Sequence, residues 1–476
     1  MRSTTRRDVL RSTAGLAFAA LSHAIPATER YPSRRPPVGE RRFTSDAVET
    51  EIARVTARIG DPQLAWLFEN CYPNTLDTTV TVGQRDGRPD TFVITGDIDA
   101  MWLRDSSAQL NPYVHLARDD PGLRELFRGL IGRQARSILI DPYANAFMHD
   151  PGARTNLPWA QNDETDMKPG VAERKWEVDS LCYPLRLAHS YWSHTQDKTP
   201  FDAEWAAGVR RSVATFREQQ RRHDRGPYSF KRRSNTPTET LILDGYGPPT
   251  KPVGLIHSGF RPSDDACTLP FLVPANLFAV VALQNIATVL HEARGESDLA
   301  RDCVVLAEEV AAALSRHGRM RDESGREIWA YEVDGFGNAI FMDDANVPNL
   351  SGLAYLGALG RADPLFRRTA ARAWSPRNPY FFSGRAATGI GGPHVGMKMI
   401  WPMSLIMHAM NSDDDASLRR CLNELKECHA GTGFMHEAFH QDDATKFTRP
   451  WFAWANGLFG ELVLDLESRK PGLLAG

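Results

Sequence analysis

Carboxylates in apolar or aromatic surroundings are the first feature of this sequence that suggests chemistry. Asp264 and Asp265 are adjacent, and Phe260 and Phe271 lie close to them in the chain. Two neighbouring carboxylates are costly to bury if both are ionised, so one of them can keep its proton near neutral pH, as a general acid must. The alternative is an exposed turn in which one aspartate caps a helix. The apolar neighbours favour partial burial.

A second candidate, Glu437, stands alone among Met435, His436 and Phe439. An isolated carboxylate in such surroundings is either paired, for which His436 is the available partner, or functional. The sequence has no G-x-S-x-G motif, P-loop, dinucleotide fingerprint or H-E-x-x-H pattern. These residues therefore favour acid–base chemistry over a serine nucleophile, and they predict neither a metal site nor a cofactor.

Further charged and aromatic residues mark the starts of predicted helices. Asp99 is a plausible N-cap, and Trp102, Arg104 and Asp105 follow within two turns. An aromatic face can stack on a sugar ring while Arg and Asp bind vicinal hydroxyls, so we predict that the last three line a terminal sugar subsite. A cap with an intrahelical ion pair explains the same residues equally well. The acids in the segment 175–183 allow the same two interpretations, since acidic residues commonly begin helices.

Helical periodicity dominates the elements that must position these residues. The apolar spacing predicts an all-α fold with helices at 45–59, 61–70, 99–117, 122–139, 178–194, 202–222, 275–293, 298–316, 349–359, 363–373, 401–411, 415–428 and 450–466. Only 91–95 and 240–244 are strand candidates. This helix count fits an (α/α)6 barrel, although a solenoid is an alternative. The long segments 141–177, 225–274 and 375–400 are predicted to build the wall of a cleft.

Composition and the N-terminal segment indicate where the protein acts. The formal net charge of −3 gives no basic excess of the kind that nucleic-acid binding requires. An arginine pair, Arg6 and Arg7, precedes a short apolar run and a small-residue site, so residues 1–24 are predicted to be a twin-arginine-type signal peptide. Residues 25–42 should form a flexible lead-in, and 43–470 a single catalytic domain. We expect an exported protein, periplasmic or secreted, with no membrane anchor after removal of the signal.

Six cysteines are present, without any C-x-x-C spacing. Export permits disulfides, whereas a protein that folds before export can keep free thiols. Both possibilities stay open from the sequence.

Five long segments together resemble glycoside hydrolase family 125. They read TGDIDAMWLRDSSAQLNPY (95–113), KWEVDSLCYP (175–184), SGFRPSDDAC (258–267), GPHVGMKMIWPMS (392–404) and GFMHEAF with RPWFAWANGLFGELV (433–463). The resemblance implies an (α/α)6 barrel that removes terminal α-1,6-linked mannose with inversion and without a metal or other cofactor, from a mannose-containing glycan.

The resemblance also implies roles for individual residues. The general acid falls on Asp264 or Asp265, with Asp264 slightly favoured, and the catalytic base on Glu437. The segments carry the candidate sugar-binding residues Asp99, Trp102, Arg104, Asp105, Glu177, Asp179, His394, Lys398, His436 and Arg449. Two alternative functions stay open. One is a helical-ring glycosidase that acts on a different sugar, and the other is a catalytically silent glycan-binding protein, which would not need the acidic residues.

Overall fold

The computed structural model describes residues 31–475, so the predicted signal peptide at 1–24 lies outside the described residues. Helices dominate the described part. They are α1 (Asp46–Thr56), α2 (Pro62–Cys71), α3 (Asn74–Thr78), α4 (Leu103–Leu110), α5 (Pro121–Ile140), α6 (Val178–Thr195), α7 (Ala203–Gln219), α8 (Val273–Val289), α9 (Ser297–His317), α10 (Pro364–Ala373), α11 (Pro402–Asn411), α12 (Asp415–Glu427), α13 (Ala453–Arg469) and α14 (Pro471–Leu474).

Short strands are more numerous than the sequence predicts, so all-α is too simple a class. They are β1 (Val80–Arg85), β2 (Arg88–Val93), β3 (Met101–Trp102), β4 (Ala146–Phe147), β5 (Val171–Glu173), β6 (Phe271–Leu272), β7 (Arg319–Arg321), β8 (Glu327–Trp329), β9 (Glu332–Val333), β10 (Ala339–Ile340), β11 (Phe381–Ser383), β12 (Thr388–Ile390), β13 (Met399–Ile400), β14 (Ala438–His440) and β15 (Asp443–Thr448). They form two- and three-stranded antiparallel sheets, such as β3-β4-β5 and β13-β14-β15. Apart from β1, β2 and β15, which have six residues each, the strands have two or three residues, too few to show an alternating pattern.

Five largely buried helices pack side by side in the order α11, α13, α4, α6 and α8. The segment between α8 and α11 completes this arrangement: Tyr183 of α6 donates to the Val347 carbonyl at 2.9 Å, and Asn411 of α11 donates to the Ser351 carbonyl at 2.7 Å. Helices α2, α5, α9 and α12 pack outside the inner ones. A short strand precedes each inner helix, so the helix starts and the small sheets share one end of the ring.

The predicted helix at 349–359 is wrong, because this segment is a series of turns. The Asp343 carboxylate accepts hydrogen bonds from the Leu350 and Ser351 amides at 2.7 and 3.0 Å. Gly357 has a φ of +76°, which a right-handed helix does not allow. The apolar spacing is real, since Leu350 and Leu353 are buried, but turns present it to the core.

The predicted strand at 240–244 is also wrong. Leu243 and Asp244 have φ values of +51° and +58° and form a tight turn at Ile242–Gly245. Leu241 is buried, whereas Leu243 is 56% exposed, so the apparent alternation does not reflect a sheet face. The other strand candidate, 91–95, overlaps β2 at residues 91–93 only.

The predicted helix at 99–117 divides into three parts. The chain passes through β3, then α4, then a 3-10 helix at Asn111–Arg118 that includes Pro112. The N-cap of α4 is Trp102, so the prediction that Asp99 caps this helix is wrong. The shift places Trp102, Arg104 and Asp105 at the end of the ring where the inner helices begin.

The lead-in predicted to be flexible is anchored over residues 32–42. The Trp66 indole donates to the Pro32 carbonyl at 2.8 Å, and Arg35 forms an ion pair of 2.8 Å with Asp77 and another with Glu49. The Arg35 side chain is only 5% exposed. Buried pairing of this kind holds the segment against α1 and α3.

Within residues 31–475, the helix Val273–Arg294 alone has the length and hydropathy of a membrane span, but 72% of its most apolar window is buried inside the protein. It is the inner helix α8 with a π turn at its end. All six cysteines are buried free thiols.

Candidate active site

A cavity of about 1090 Å³ opens at the end of the ring where the inner helices begin. Each inner helix, or the segment just before it, contributes a lining residue: Arg104, Lys175, Asp264, Trp401 and Trp454. The long loops predicted to form a wall contribute others, among them Trp159 and Arg232. Residues far apart in the chain therefore meet because the inner helices share one end.

Arg104 is the centre of a buried ion-pair cluster. Its Nη1 donates to Glu177 at 2.5 Å and to Asp179 at 3.1 Å, and its Nε lies 3.4 Å from Asp105. Only 3% of the Arg104 side chain is exposed. One guanidinium thus faces three carboxylates, and burial raises the pKa of Asp105 to about 6 against the opposing charge of Arg104.

Asp264 presents its carboxylate to the cavity from a strained turn. Its φ is +65°, in the left-handed region, and its side chain is 26% exposed. Asn145 donates to Oδ1 at 3.2 Å, and Arg104 Nη2 lies 3.9 Å from the same oxygen. Lys175 donates to the Asp264 carbonyl at 2.7 Å. The backbone and the carboxylate are therefore both held in place.

Asp264 and Glu177 lie side by side, and each carboxyl group shifts the pKa of the other. Burial raises the pKa of Glu177 well above its ordinary value, and the Asp264 carboxylate beside it adds to the shift. Burial also works to raise the pKa of Asp264, but the charges of Lys175 and Arg104 hold it below its ordinary range. Because the pKa of Glu177 is raised and that of Asp264 is lowered, the proton of this pair rests on Glu177, behind Asp264, at pH values where free carboxylates are ionised.

Asp265 occupies a different environment from its neighbour. It is 1% exposed, does not line the cavity, and accepts a hydrogen bond from Ser263 Oγ at 3.1 Å. Its carbonyl accepts from the Arg261 amide at 2.8 Å, which closes the turn that projects Asp264. Burial raises the pKa of Asp265. Of the adjacent aspartates, only Asp264 faces the cavity.

Glu437 lines the same cavity and lies just before β14. Its carboxylate lies 3.5 Å from Arg449 Nη1, and Arg449 Nε donates to Asp97 at 2.8 Å. Arg449, rather than His436, is thus the charged neighbour of Glu437. Gly96 leaves room for this arginine, because a Cβ there would come within 2.8 Å of Arg449 Nη2.

His436 is buried beneath the site. Its ring stacks on Phe447 with centroids 3.9 Å apart, and its Nδ1 lies 3.3 Å from the Arg449 carbonyl. Burial lowers the pKa of His436, so it is neutral at physiological pH. It supports the loop that carries Glu437 and Arg449.

The other predicted sugar-binding residues fall into three groups: those that line the cavity, those buried behind it and those exposed outside it. Trp102, Arg104, Asp105, His394 and Arg449 line the cavity. Glu177 and Asp179 lie fully buried behind Arg104. Asp99 and Lys398 are exposed and do not line the cavity.

Several residues of the site were not predicted. Arg232 pairs with Asp163 at 2.7 Å, Glu173 at 2.8 Å and Glu239 at 2.8 Å, which ties the two long loops together. Trp159 is 45% exposed, and its indole donates to Glu173 at 3.1 Å. These residues lie in loops without periodicity, so only the fold could bring them together.

Within residues 31–475, no group of three or more His, Cys, Asp or Glu side chains is arranged to hold a metal ion. The cavity combines carboxylates held by different parts of the chain, among them Asp264 and Glu437, with buried arginines and the exposed aromatic face of Trp159. These features define a carbohydrate-processing site of the acid–base type.

Comparison with known proteins identifies the family. Residues 61–464 match the model for the metal-independent α-mannosidases, GH125. The chain therefore belongs to glycoside hydrolase family 125, which confirms the resemblance found in the sequence. It is also 43% identical, over 94% of its length and 91% of the relative, to the meiotically up-regulated gene 157 protein of Schizosaccharomyces pombe.

Solved structures agree with this assignment. A metal-independent α-mannosidase of Streptococcus pneumoniae, in a non-productive complex with α-1,6-mannobiose, is 40% identical with a TM-score of 0.84, over 89% of this chain and 99% of that one. A bacterial glucoamylase bound to acarbose has 10% identity and a TM-score of 0.54, over 91% of this chain and 58% of that one, and shares the fold alone. The match to the pneumococcal enzyme fits a helical toroid.

Proposed function

We propose that this protein is an exo-acting, inverting glycoside hydrolase that releases terminal α-1,6-linked mannose. The observation that carries the proposal is that Asp264 and Glu437, held by different parts of the chain, line one cavity. Inversion requires one carboxylic acid and one carboxylate on opposite sides of the sugar, about 6.5–9.5 Å apart, with a water between the base and the ring. The linkage rests on the α-1,6-mannobiose bound by the pneumococcal relative.

Asp264 is proposed as the general acid, because it faces the cavity and Asp265 does not. The proton that rests on Glu177 moves to Asp264, its hydrogen-bond partner, and passes from Asp264 to the glycosidic oxygen as the bond from that oxygen to the anomeric carbon breaks. The Asp264 carboxylate that results lies near Lys175 and Arg104. These cations favour the ionised form and so promote proton release.

Glu437 is proposed as the base. It removes a proton from a water molecule, whose oxygen bonds to the anomeric carbon on the face opposite the leaving group, so the first product is β-mannose. Arg449 holds the Glu437 carboxylate at 3.5 Å. The positive charge that develops on the sugar ring is stabilised by the nearby carboxylate of Asp105.

The long loops favour an exo-acting pocket over an open groove. Arg232 links the 141–177 loop to the 225–274 loop through Asp163 and Glu239, both of which line the cavity. This network closes one side of the cavity. A cavity closed on this side favours entry of a chain end, whose anomeric carbon would then lie between Asp264 and Glu437.

The test is hydrolysis of α-1,6-mannobiose in the presence of a chelator, followed by proton NMR. Release of β-mannose first is expected, and release of α-mannose first would show retention and contradict the assigned roles. Asp264→Asn and Glu437→Gln should each lower turnover by about 10²–10⁴-fold. Asp265→Asn is the matched comparison: a loss confined to Asp265→Asn, with Asp264→Asn active, would move the acid to the neighbouring residue.

A panel of other glycosides tests the alternatives. Cleavage of a glucoside or uronide in place of mannobiose would indicate a helical-ring glycosidase of different specificity. Binding of mannobiose without cleavage of any glycoside would indicate a glycan-binding protein.

Two further proposals concern architecture and destination. We propose that the ring is an (α/α)6 barrel in which the turns at 343–359 take the place of the sixth inner helix. We also propose export through the twin-arginine route, to the periplasm or beyond. Replacing Arg6 and Arg7 with lysine should retain the protein in the cytoplasmic fraction, and unchanged export would contradict this route.

A further inference from the structure

Lys175 is a buried cation beside the proposed general acid, and the acid–base roles do not explain its bond to the Asp264 backbone. Only 2% of its side chain is exposed. Its Nζ donates to the Asp264 carbonyl at 2.7 Å, lies 3.3 Å from Glu239, and sits 5.0 Å from the centre of the Phe260 ring. A lysine is rarely buried to this extent unless its charge is matched and its hydrogen bonds are made.

The bond to the Asp264 carbonyl fixes an unusual backbone. Asp264 has a φ of +65°, which is disfavoured for a residue with a Cβ, and its amide donates to the Arg261 carbonyl at 2.9 Å. If Asp264 left the left-handed region, its carbonyl would leave Lys175 and its carboxylate would move away from Asn145. Strained backbone of this kind persists where the surroundings hold it and is common at functional sites.

We propose that Lys175 is a positioning residue for the general acid, which holds Asp264 in its left-handed turn and stabilises the carboxylate left after proton transfer. This inference rests on the proposed function. The bond orients the carboxylate toward the leaving oxygen, and the charge makes Asp264 a stronger acid. Burial works against the charged form of Lys175, but Glu173 and Asp264 raise its pKa, so the cation persists.

Other charged groups act on Asp264 and Lys175 and must be considered in any pH experiment. Those that act on Asp264 are Arg104, Glu177, His394, Asp105 and Asp179. Those that act on Lys175, besides Asp264, are Glu173, Glu239, Arg232 and Asp163. None of them bonds the Asp264 carbonyl as Lys175 does.

The test compares two substrates in Lys175→Met. An α-mannoside with a dinitrophenyl leaving group needs no proton to depart, whereas mannobiose does. Turnover of mannobiose should fall by about 10²-fold, and that of the dinitrophenyl mannoside by less than about tenfold. Loss of the nearby cation should also move the alkaline limb of the kcat/KM profile for mannobiose up by about one pH unit.

A second variant and a control complete the design. Lys175→Gln keeps a donor for the Asp264 carbonyl but lacks the charge, so it should show the same pH shift with a smaller loss of turnover, and it carries the test if Lys175→Met does not fold. Lys470→Met removes a partly exposed lysine that pairs with Asp415 away from the cavity, and it should leave both substrates and the profile unchanged. Equal losses on both substrates, with the alkaline limb unmoved, would mean that Lys175 has only a structural role.

Asp264→Asn separates this inference from the proposed function. If it cleaves mannobiose normally, the role of Asp264 is wrong and so is that of Lys175. If it loses mannobiose but keeps the dinitrophenyl substrate, while the Lys175 variants show no shift, only the inference about Lys175 is wrong.

Discussion

Replacing Arg104 with methionine should destabilise the protein in a pH-dependent way. The change leaves Glu177, Asp179 and Asp105 buried without the cation that faces them at 2.5, 3.1 and 3.4 Å. Removing one partner of a buried ion pair costs about 3–5 kcal/mol. With an unfolding entropy of about 2.1 cal/mol/K per residue over roughly 450 residues, this corresponds to a fall in Tm of about 3–5 °C.

The loss should grow with pH. In the variant the folded-state pKa values of these carboxyl groups lie even further above their unfolded values. A carboxyl group whose pKa is higher in the folded than in the unfolded state stabilises the folded state at pH values below its unfolded-state pKa. This stabilisation is lost as the pH rises through its folded-state pKa. The fall in Tm should therefore be small at pH 5 and full at pH 8.

Thermal unfolding of the wild type and Arg104→Met at pH 5, 6.5 and 8 measures this effect. Arg301→Met is the control, because Arg301 is 70% exposed and its pair with Asp298 should contribute less than about 1 kcal/mol. In Arg104→Met/Glu177→Gln, part of the stability at pH 8 should return, since one buried charge is gone. An equal loss at pH 5 and pH 8 would refute the reasoning and point to packing instead of charge.

Three other changes test separate parts of the structure. Trp159→Ala should raise KM for mannobiose several-fold with little change in Tm, because the exposed indole offers a stacking face at the cavity. An unchanged KM would exclude stacking of the sugar on Trp159. Gly129→Ala should lower Tm, since its Cβ would come within 2.8 Å of the Thr91 amide. Gly325→Ala has open space around the new Cβ, so any fall in its Tm should come only from the strain of the positive φ and should be smaller. A larger fall in Tm for Gly325→Ala than for Gly129→Ala would contradict this packing. The wild type should become less stable between pH 4 and 7, because burial raises the pKa of Asp343 to about 7 and the stabilisation from its proton is lost over that range. Asp343→Asn should flatten this part of the curve of Tm against pH, and an unchanged slope would refute the assignment.

Helices with a strong amphipathic period were predictable from the sequence. Helix α9, for example, buries Leu299, Leu306, Val310 and Leu314 on one face, and its bounds agree with the prediction within one residue at each end. The 349–359 segment has similar spacing but forms turns, because Asp343 binds two of its amides and Gly357 takes a positive φ. A local sequence pattern predicts which side chains are buried, but it does not predict which groups the backbone amides bind in the folded protein.

Candidate residues of the site could be found where they stand beside a helix start or in apolar surroundings. Asp264, Glu437 and Arg104 are of this kind, and they lie at one cavity. Asp99 shows the limit of the approach, because an acidic residue before a helical pattern looks like a cap even when the helix starts later, as α4 does after Trp102.

The sequence by itself determined the family, the helical character and a short set of carboxylates, since these depend on residue types and spacing along the chain. Tertiary structure decided which of two adjacent aspartates faces the cavity, that Arg449 instead of His436 faces Glu437, and that Lys175 bonds the backbone of Asp264. Asp264 and Asp265 are equivalent by composition, but a positive φ turns one outward while burial encloses the other. The distinction arises from contacts between segments far apart in the chain, which no local pattern can encode.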